Sequence, residues 1–135
     1  MPLPITALYA GLLALWLFGL SIAVIRLRWR HRVSLGDGGV DVLERIGRAH
    51  GNAAETVPIC LILLALSEGL GASALVLHLF GLMLLVGRLT HGVHFLTNRR
   101  TLGLRQIGMT LTFFVMLGLG ISLVVQGIGN LAGNA

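Results

Sequence analysis

The 135-residue chain is 56% hydrophobic and only 11% charged. A soluble domain carries about a quarter charged residues, so composition excludes a water-soluble globular core and points to an integral membrane protein. All ten basic residues are Arg and the net charge is +5, but the arginines cluster beside apolar segments, where they serve as topology signals, which argues against a nucleic-acid surface.

The first apolar segment runs roughly from Pro4 to Leu27. It has no basic n-region and no small-residue cleavage site, so it reads as a retained transmembrane helix rather than a signal peptide. The basic stretch RLRWRHRVSLGDGG follows, with Arg26, Arg28, Arg30 and Arg32. Its glycines mark a loop, and Asp41 is the expected N-cap of the next helix. The second segment starts polar near Val40 and turns apolar from Val57 to Leu66, with Pro58 as a candidate kink. Cys60, the only cysteine, lies in this apolar run and reads as a small buried hydrophobe.

The third segment spans about Ser73 to Phe95 and the fourth about Ile107 to Ile128, joined by TNRRTLGLRQ with Arg99, Arg100 and Arg105. Each segment reaches the roughly 20 residues needed to cross a hydrocarbon core of about 30 Å. No internal repeat divides the chain. The expected architecture is an all-α, integral membrane four-helix bundle, one domain over residues 1–135. Both basic loops lie on one side, while Met1–Thr6, SEGLGAS and GNLAGNA lack Lys and Arg. The positive-inside rule then puts the basic loops in the cytoplasm and both termini in the periplasm. Small size and the absence of Lys suit a bacterial inner membrane protein.

The stretch ERIGRAHGNAAETVP, Glu44–Pro58, leads polar residues directly into the membrane. At about 100° per residue, Glu44, Arg45, Arg48, Asn52 and Glu55 fall on one stripe about 100° wide. Gly47, Gly51 and Ala54 form an adjoining small-residue face, and His50 points elsewhere. A bland interpretation is a snorkelling stripe of mutually neutralised charges, Glu44–Arg48 and Arg48–Glu55. Glu55 lies deeper, and ionisable residues at such depth are functional candidates. Arg, Asn and Glu together suit a zwitterionic, peptide-like ligand, with carboxylates on Arg, an amine on Glu and amides on Asn. On the third segment, Arg88, His91 and Phe95 fall within about 60°, with His94 about 60° further round. Spacing His91–His94 is compatible with a metal, but no carboxylate or cysteine completes a ligand set, so no metal is expected. His78 is expected to be a hydrogen-bonded structural histidine.

The pattern Glu44-Arg45-x-x-Arg48-Ala49-His50-x-Asn52-x-x-Glu55-x-x-Pro58 resembles the second-helix signature of the MAPEG family, membrane-associated proteins in eicosanoid and glutathione metabolism. Arg88, His91 and Phe95 resemble that family's third-helix pattern, and within the family Arg48-Ala49-His50 looks closer to microsomal glutathione transferases than to leukotriene C4 synthases. The resemblance implies a homotrimer of four-helix subunits with glutathione held between neighbours near the cytoplasmic face. It implies glutathione-binding roles for Arg28, Arg48, His50, Asn52, Glu55, Arg88, His91 and Phe95, with His50 reaching the site of an adjacent subunit. It assigns Arg105 the catalytic task of stabilising the glutathione thiolate, which attacks a hydrophobic electrophile or lipid arriving from the bilayer. Glutathione is then a co-substrate, and no metal is involved. Phe95 departs from the Tyr usual in catalytic members. Two activities stay open, transferase and lipid hydroperoxide peroxidase, as does a non-catalytic member binding glutathione or lipid. A small multidrug exporter fits poorly, because its essential Glu would sit on the first helix without Arg and Asn partners.

Overall fold

The computed structural model describes residues 2–97 and 102–133, so Arg99 and Arg100, on which part of the orientation rests, lie outside the described residues. Four helices follow in order: α1 (Pro4–His31), α2 (Asp41–Gly69), α3 (Ala74–Leu96) and α4 (Leu102–Gly133). Among the described residues there is no strand. All four helices are long and apolar enough to cross a membrane. Even α3, with 23 residues, spans about 35 Å.

The helices outrun the apolar segments. α1 continues past Leu27 to His31 because Arg is a good helix former and its carbonyls are still satisfied along the axis. It stops at Arg32, which adopts a left-handed conformation (φ 55°), while the Val33 N–H donates to the Arg28 carbonyl at 3.0 Å. The connecting loop turns on Asp37, whose carboxylate accepts the Gly39 N–H at 2.9 Å. Asp41 is therefore not the N-cap. Val40 holds that position without a side-chain cap, and Asp41 is the first helical residue, paired with Arg45 at 2.8 Å. An acidic residue there still suits the positive helix end. α2 runs unbroken through Pro58.

α2 and α3 form the middle of the bundle and touch each other and both outer helices; among the described residues, α1 and α4 do not meet. The core is a stripe of α2, Ala49, Ala53, Val57, Cys60 and Leu64, closed by Leu13 and Leu20 of α1, Leu77 and Leu84 of α3, and Val115 and Leu119 of α4. Cys60 is fully buried among them, as expected of a small hydrophobe. Large apolar side chains such as Leu15, Phe18, Leu75, Phe114 and Val125 point outward, as a lipid-facing surface requires.

α3 and α4 cross at two glycines. A Cβ on Gly108 would lie 2.6 Å from the Gly87 carbonyl oxygen and 2.8 Å from the His91 nitrogen, so only glycine permits this approach. At the end remote from the basic loop, Glu68 of α2 caps α1. Its two carboxylate oxygens accept the Ile5 and Thr6 N–H groups at 3.0 and 2.8 Å. His78 is hydrogen-bonded, as expected, with Nδ1 3.2 Å from the Tyr9 hydroxyl.

Candidate functional site

The polar stripe of α2 borders a cavity of about 500 Å³ at the arginine-rich end of the bundle. All four helices contribute to its wall. α2 supplies Glu44, Arg48, Asn52 and Glu55, together with the bare backbone of Gly47 and Gly51. α1 adds Arg28, the following loop adds Asp37, α3 adds His91 and Phe95, and α4 adds Arg105 and Met109. Starting α4 at Leu102 rather than near Ile107 puts Arg105 in its first turn, beside the positive end of the helix dipole.

The charges are balanced: Arg28, Arg48 and Arg105 share the wall with Asp37, Glu44 and Glu55. Arg48 pairs with Glu44 at 3.6 Å, one turn back along α2, rather than with Glu55. Its side chain is 71% exposed, so this contact holds it weakly and leaves it free to turn toward a ligand. Arg28 donates to the Ser34 carbonyl at 2.9 Å, which draws it across the loop. Glu55 and Arg105 form no ion pair among the described residues. His91 is buried, its ring centroid 5.1 Å from that of Phe95, and His94 packs edge-to-face with Phe95 at 4.9 Å. Phe95 thus presents a fixed apolar surface among charged neighbours.

Arg88 and His50 lie outside this wall. His50 turns toward α1, where its Nε2 lies 2.9 Å from the Ser21 hydroxyl. Arg88, on the same turn of α3 as His91, points into the core and is 1% exposed. It donates to Asn52 Oδ1 at 2.5 Å, to the Thr56 hydroxyl at 3.1 Å and to the Gly108 carbonyl at 3.1 Å. One guanidinium therefore ties α2, α3 and α4 together directly beneath the cavity. Thr112 donates to the same Gly108 carbonyl at 2.9 Å. Thr56 escaped notice in the sequence, although it lies only about 20° from Arg45 on the α2 helical wheel and so continues the polar stripe. Asp37 was also missed, because a loop carboxylate carries no helical period.

Four helices long and apolar enough to cross a membrane, with a polar cavity at their arginine-rich end, define an integral membrane protein. The MAPEG family model matches residues 6–125, and the chain belongs to the MAPEG family. It is 42% identical over 113 residues to the inner membrane protein YecN of Escherichia coli (strain K12), covering 84% of this chain and 85% of that protein. YecN of Escherichia coli O6:H1 matches with the same identity and coverage.

Proposed function

We propose that the protein is a membrane-bound glutathione transferase of the bacterial inner membrane, with its site facing the cytoplasm, both termini in the periplasm, and a homotrimeric assembly. The inner membrane location is supported by the description of YecN. The observation that carries the activity is that Arg105 shares one cavity with Arg28, Arg48, Asn52 and Glu55. Glutathione has two carboxylates, one ammonium, two amides and one thiol. Arg28 and Arg48 suit the carboxylates, Glu55 suits the ammonium, and Asn52 suits an amide.

Arg105 then faces the thiol. A free thiol has a pKa of about 8.5, so little of it is ionised at neutral pH. The guanidinium and the first turn of α4 both favour the thiolate, whose proton passes to solvent. A lowering of about one to two pH units corresponds to about 1.4 to 2.7 kcal/mol of stabilisation. The thiolate sulfur forms a bond to an electrophilic carbon of a hydrophobic substrate, and the leaving group departs with its bonding electrons. Phe95 and Met109 give the apolar wall that such a substrate needs. Toward a lipid hydroperoxide, the same thiolate would break the O–O bond, giving an alcohol and water as two glutathione thiols become one disulfide.

A second reading, binding of glutathione or lipid without turnover, is favoured by Phe95, which brings no hydroxyl into the cavity. The two separate in a single experiment on purified protein in detergent or nanodiscs. Thiolate ultraviolet absorbance is recorded on mixing with glutathione, followed by conjugation to a hydrophobic electrophile. Transferase activity predicts a thiolate signal that Arg105→Ala reduces by about tenfold or more at neutral pH. Binding without a thiolate signal supports the second reading, and conjugation undiminished in Arg105→Ala removes the role given to that residue.

A further inference from the structure

Arg88 is the largest fully buried side chain among the described residues, and it is a cation. Among the described residues no carboxylate lies within ion-pair distance of it. Its hydrogen-bonding partners, Asn52 Oδ1, the Thr56 hydroxyl and the Gly108 carbonyl, are all neutral acceptors. Guanidinium has five donors and no acceptor, so any carboxamide bonded to it must offer its oxygen. The Thr56 hydroxyl donates its own proton to the Asn52 backbone carbonyl at 2.7 Å, so its oxygen is likewise turned to Arg88 as an acceptor. The hydroxyl proton and the carboxamide oxygen are therefore both committed.

That commitment has a consequence at the other edge of Asn52. The residue is half-buried and lines the cavity. With its Oδ1 held from beneath, its Nδ2 amino group is the part left for the cavity. We propose that Arg88 is a positioning residue that locks Asn52 with its NH2 toward the cavity, so that the site selects a ligand presenting an acceptor oxygen, a carboxylate or amide carbonyl, at that point. This rests on the reading of the cavity as a glutathione site and names what Asn52 contributes to it. A freely rotating carboxamide would accept donors and acceptors alike. A locked one repels a donor and, with the buried cation behind it, favours negative charge.

Substitution at Asn52 separates orientation from folding. Asn52→Asp keeps an oxygen for Arg88, gives the buried guanidinium the counter-ion it lacks, and turns a second oxygen toward the cavity where the NH2 stood. This variant should melt no lower than the wild type, yet bind glutathione about tenfold or more weakly, because an acceptor now meets an acceptor. Arg88→Lys, which keeps a donor beneath Asn52, should retain more affinity than Arg88→Met. The orientation itself is read without a ligand by nuclear magnetic resonance of protein labelled with 15N-asparagine, the Asn52 amino signals being identified by their loss in Asn52→Asp. Those protons should exchange with water through the cavity and should shift when glutathione is added to the wild type. Amino protons shielded from water, or glutathione affinity unchanged in Asn52→Asp, would overturn the proposal. Failure of the wild-type protein to bind glutathione would instead remove the proposed function, and water exchange of the Asn52 amino group would still decide its orientation.

Discussion

The carboxylate of Glu68, at the end of α2, accepts the backbone N–H of Thr6, in the first turn of α1, at 2.8 Å. Its other oxygen takes the Ile5 N–H at 3.0 Å. Nothing within α1 provides this cap, since Leu3 occupies the N-cap position and has no side-chain acceptor. The contact joins two helices that meet again at the opposite membrane face, where they form two sides of the cavity. A lost side-chain cap costs about 1 kcal/mol. Glu68→Ala should therefore lower stability by about 1 kcal/mol, and Glu68→Gln, which keeps one acceptor oxygen, by less. Thermal unfolding in detergent checks this order, and equal melting temperatures for Glu68→Ala and the wild type would refute the cap. Glutathione affinity should not change, because the cap lies at the far end of the bundle.

The crossing of α3 and α4 allows no atom beyond hydrogen at Gly108. A methyl there would press on the Gly87 carbonyl and on the backbone of His91, neither of which can move aside cheaply. Gly108→Ala should cost about 1 to 3 kcal/mol, the range for overpacking a tight site. It should also pull the Gly108 carbonyl away from Arg88 and weaken the tie between the helices. Gly120 is the control on the same helix, since a methyl group there would meet nothing within 4 Å. Gly120→Ala should be neutral or mildly stabilising. Unfolding curves of the two variants side by side test the difference.

The first and fourth spans could be read directly because each is a nearly unbroken apolar run of membrane length, the second and third because an apolar run is continued by a helix-periodic polar end, and the polar stripe of α2 because residues on one helix keep fixed angles. What could not be read is what each face meets. Arg88, His91 and Phe95 fall within about 60° of α3, yet His91 and Phe95 reach the cavity while Arg88 enters the core. That division depends on the close α3–α4 crossing at Gly87 and Gly108, a contact between helices that no single-helix period encodes. Helix ends were obscured for a related reason. Hydropathy falls at Arg26 to Arg32 and before Ile107, but backbone hydrogen bonding does not, so α1 and α4 extend into polar sequence. Glu68 was passed over because its partners are backbone N–H groups more than sixty residues away.

Gly47 and Gly51 line the cavity, and a Cβ at either would meet nothing within 4 Å. Packing within the chain does not require these glycines, so their value lies in the space they leave. Gly51→Ala should fold slightly more stably, by about 0.5 to 1 kcal/mol, because alanine is the better helix former. Gly51→Phe should retain the fold but fill much of the cavity and abolish glutathione binding. Melting temperature and calorimetric binding, measured on both variants, separate the two effects. A Gly51→Phe protein that binds as the wild type does would show that the ligand lies elsewhere.

Phe95 packs against the rings of His91 and His94, at 5.1 and 4.9 Å between centroids, and it forms part of the cavity wall. A tyrosine would keep the ring and these contacts, and add a hydroxyl at its edge. Where that hydroxyl reaches a polar atom of the ligand, it adds one hydrogen bond, worth about 0.5 to 1.5 kcal/mol net. Phe95→Tyr should then bind glutathione about two- to tenfold more tightly, since about 1.4 kcal/mol is a factor of ten. Phe95→Leu loses the aromatic contacts as well and should bind more weakly than the wild type. If the hydroxyl acts on the thiolate itself, conjugation at saturating glutathione rises too; if it serves binding alone, only the half-saturating concentration falls. A rate and affinity both unchanged in Phe95→Tyr would place the ligand out of reach of this ring, toward Arg28 and the loop at Asp37.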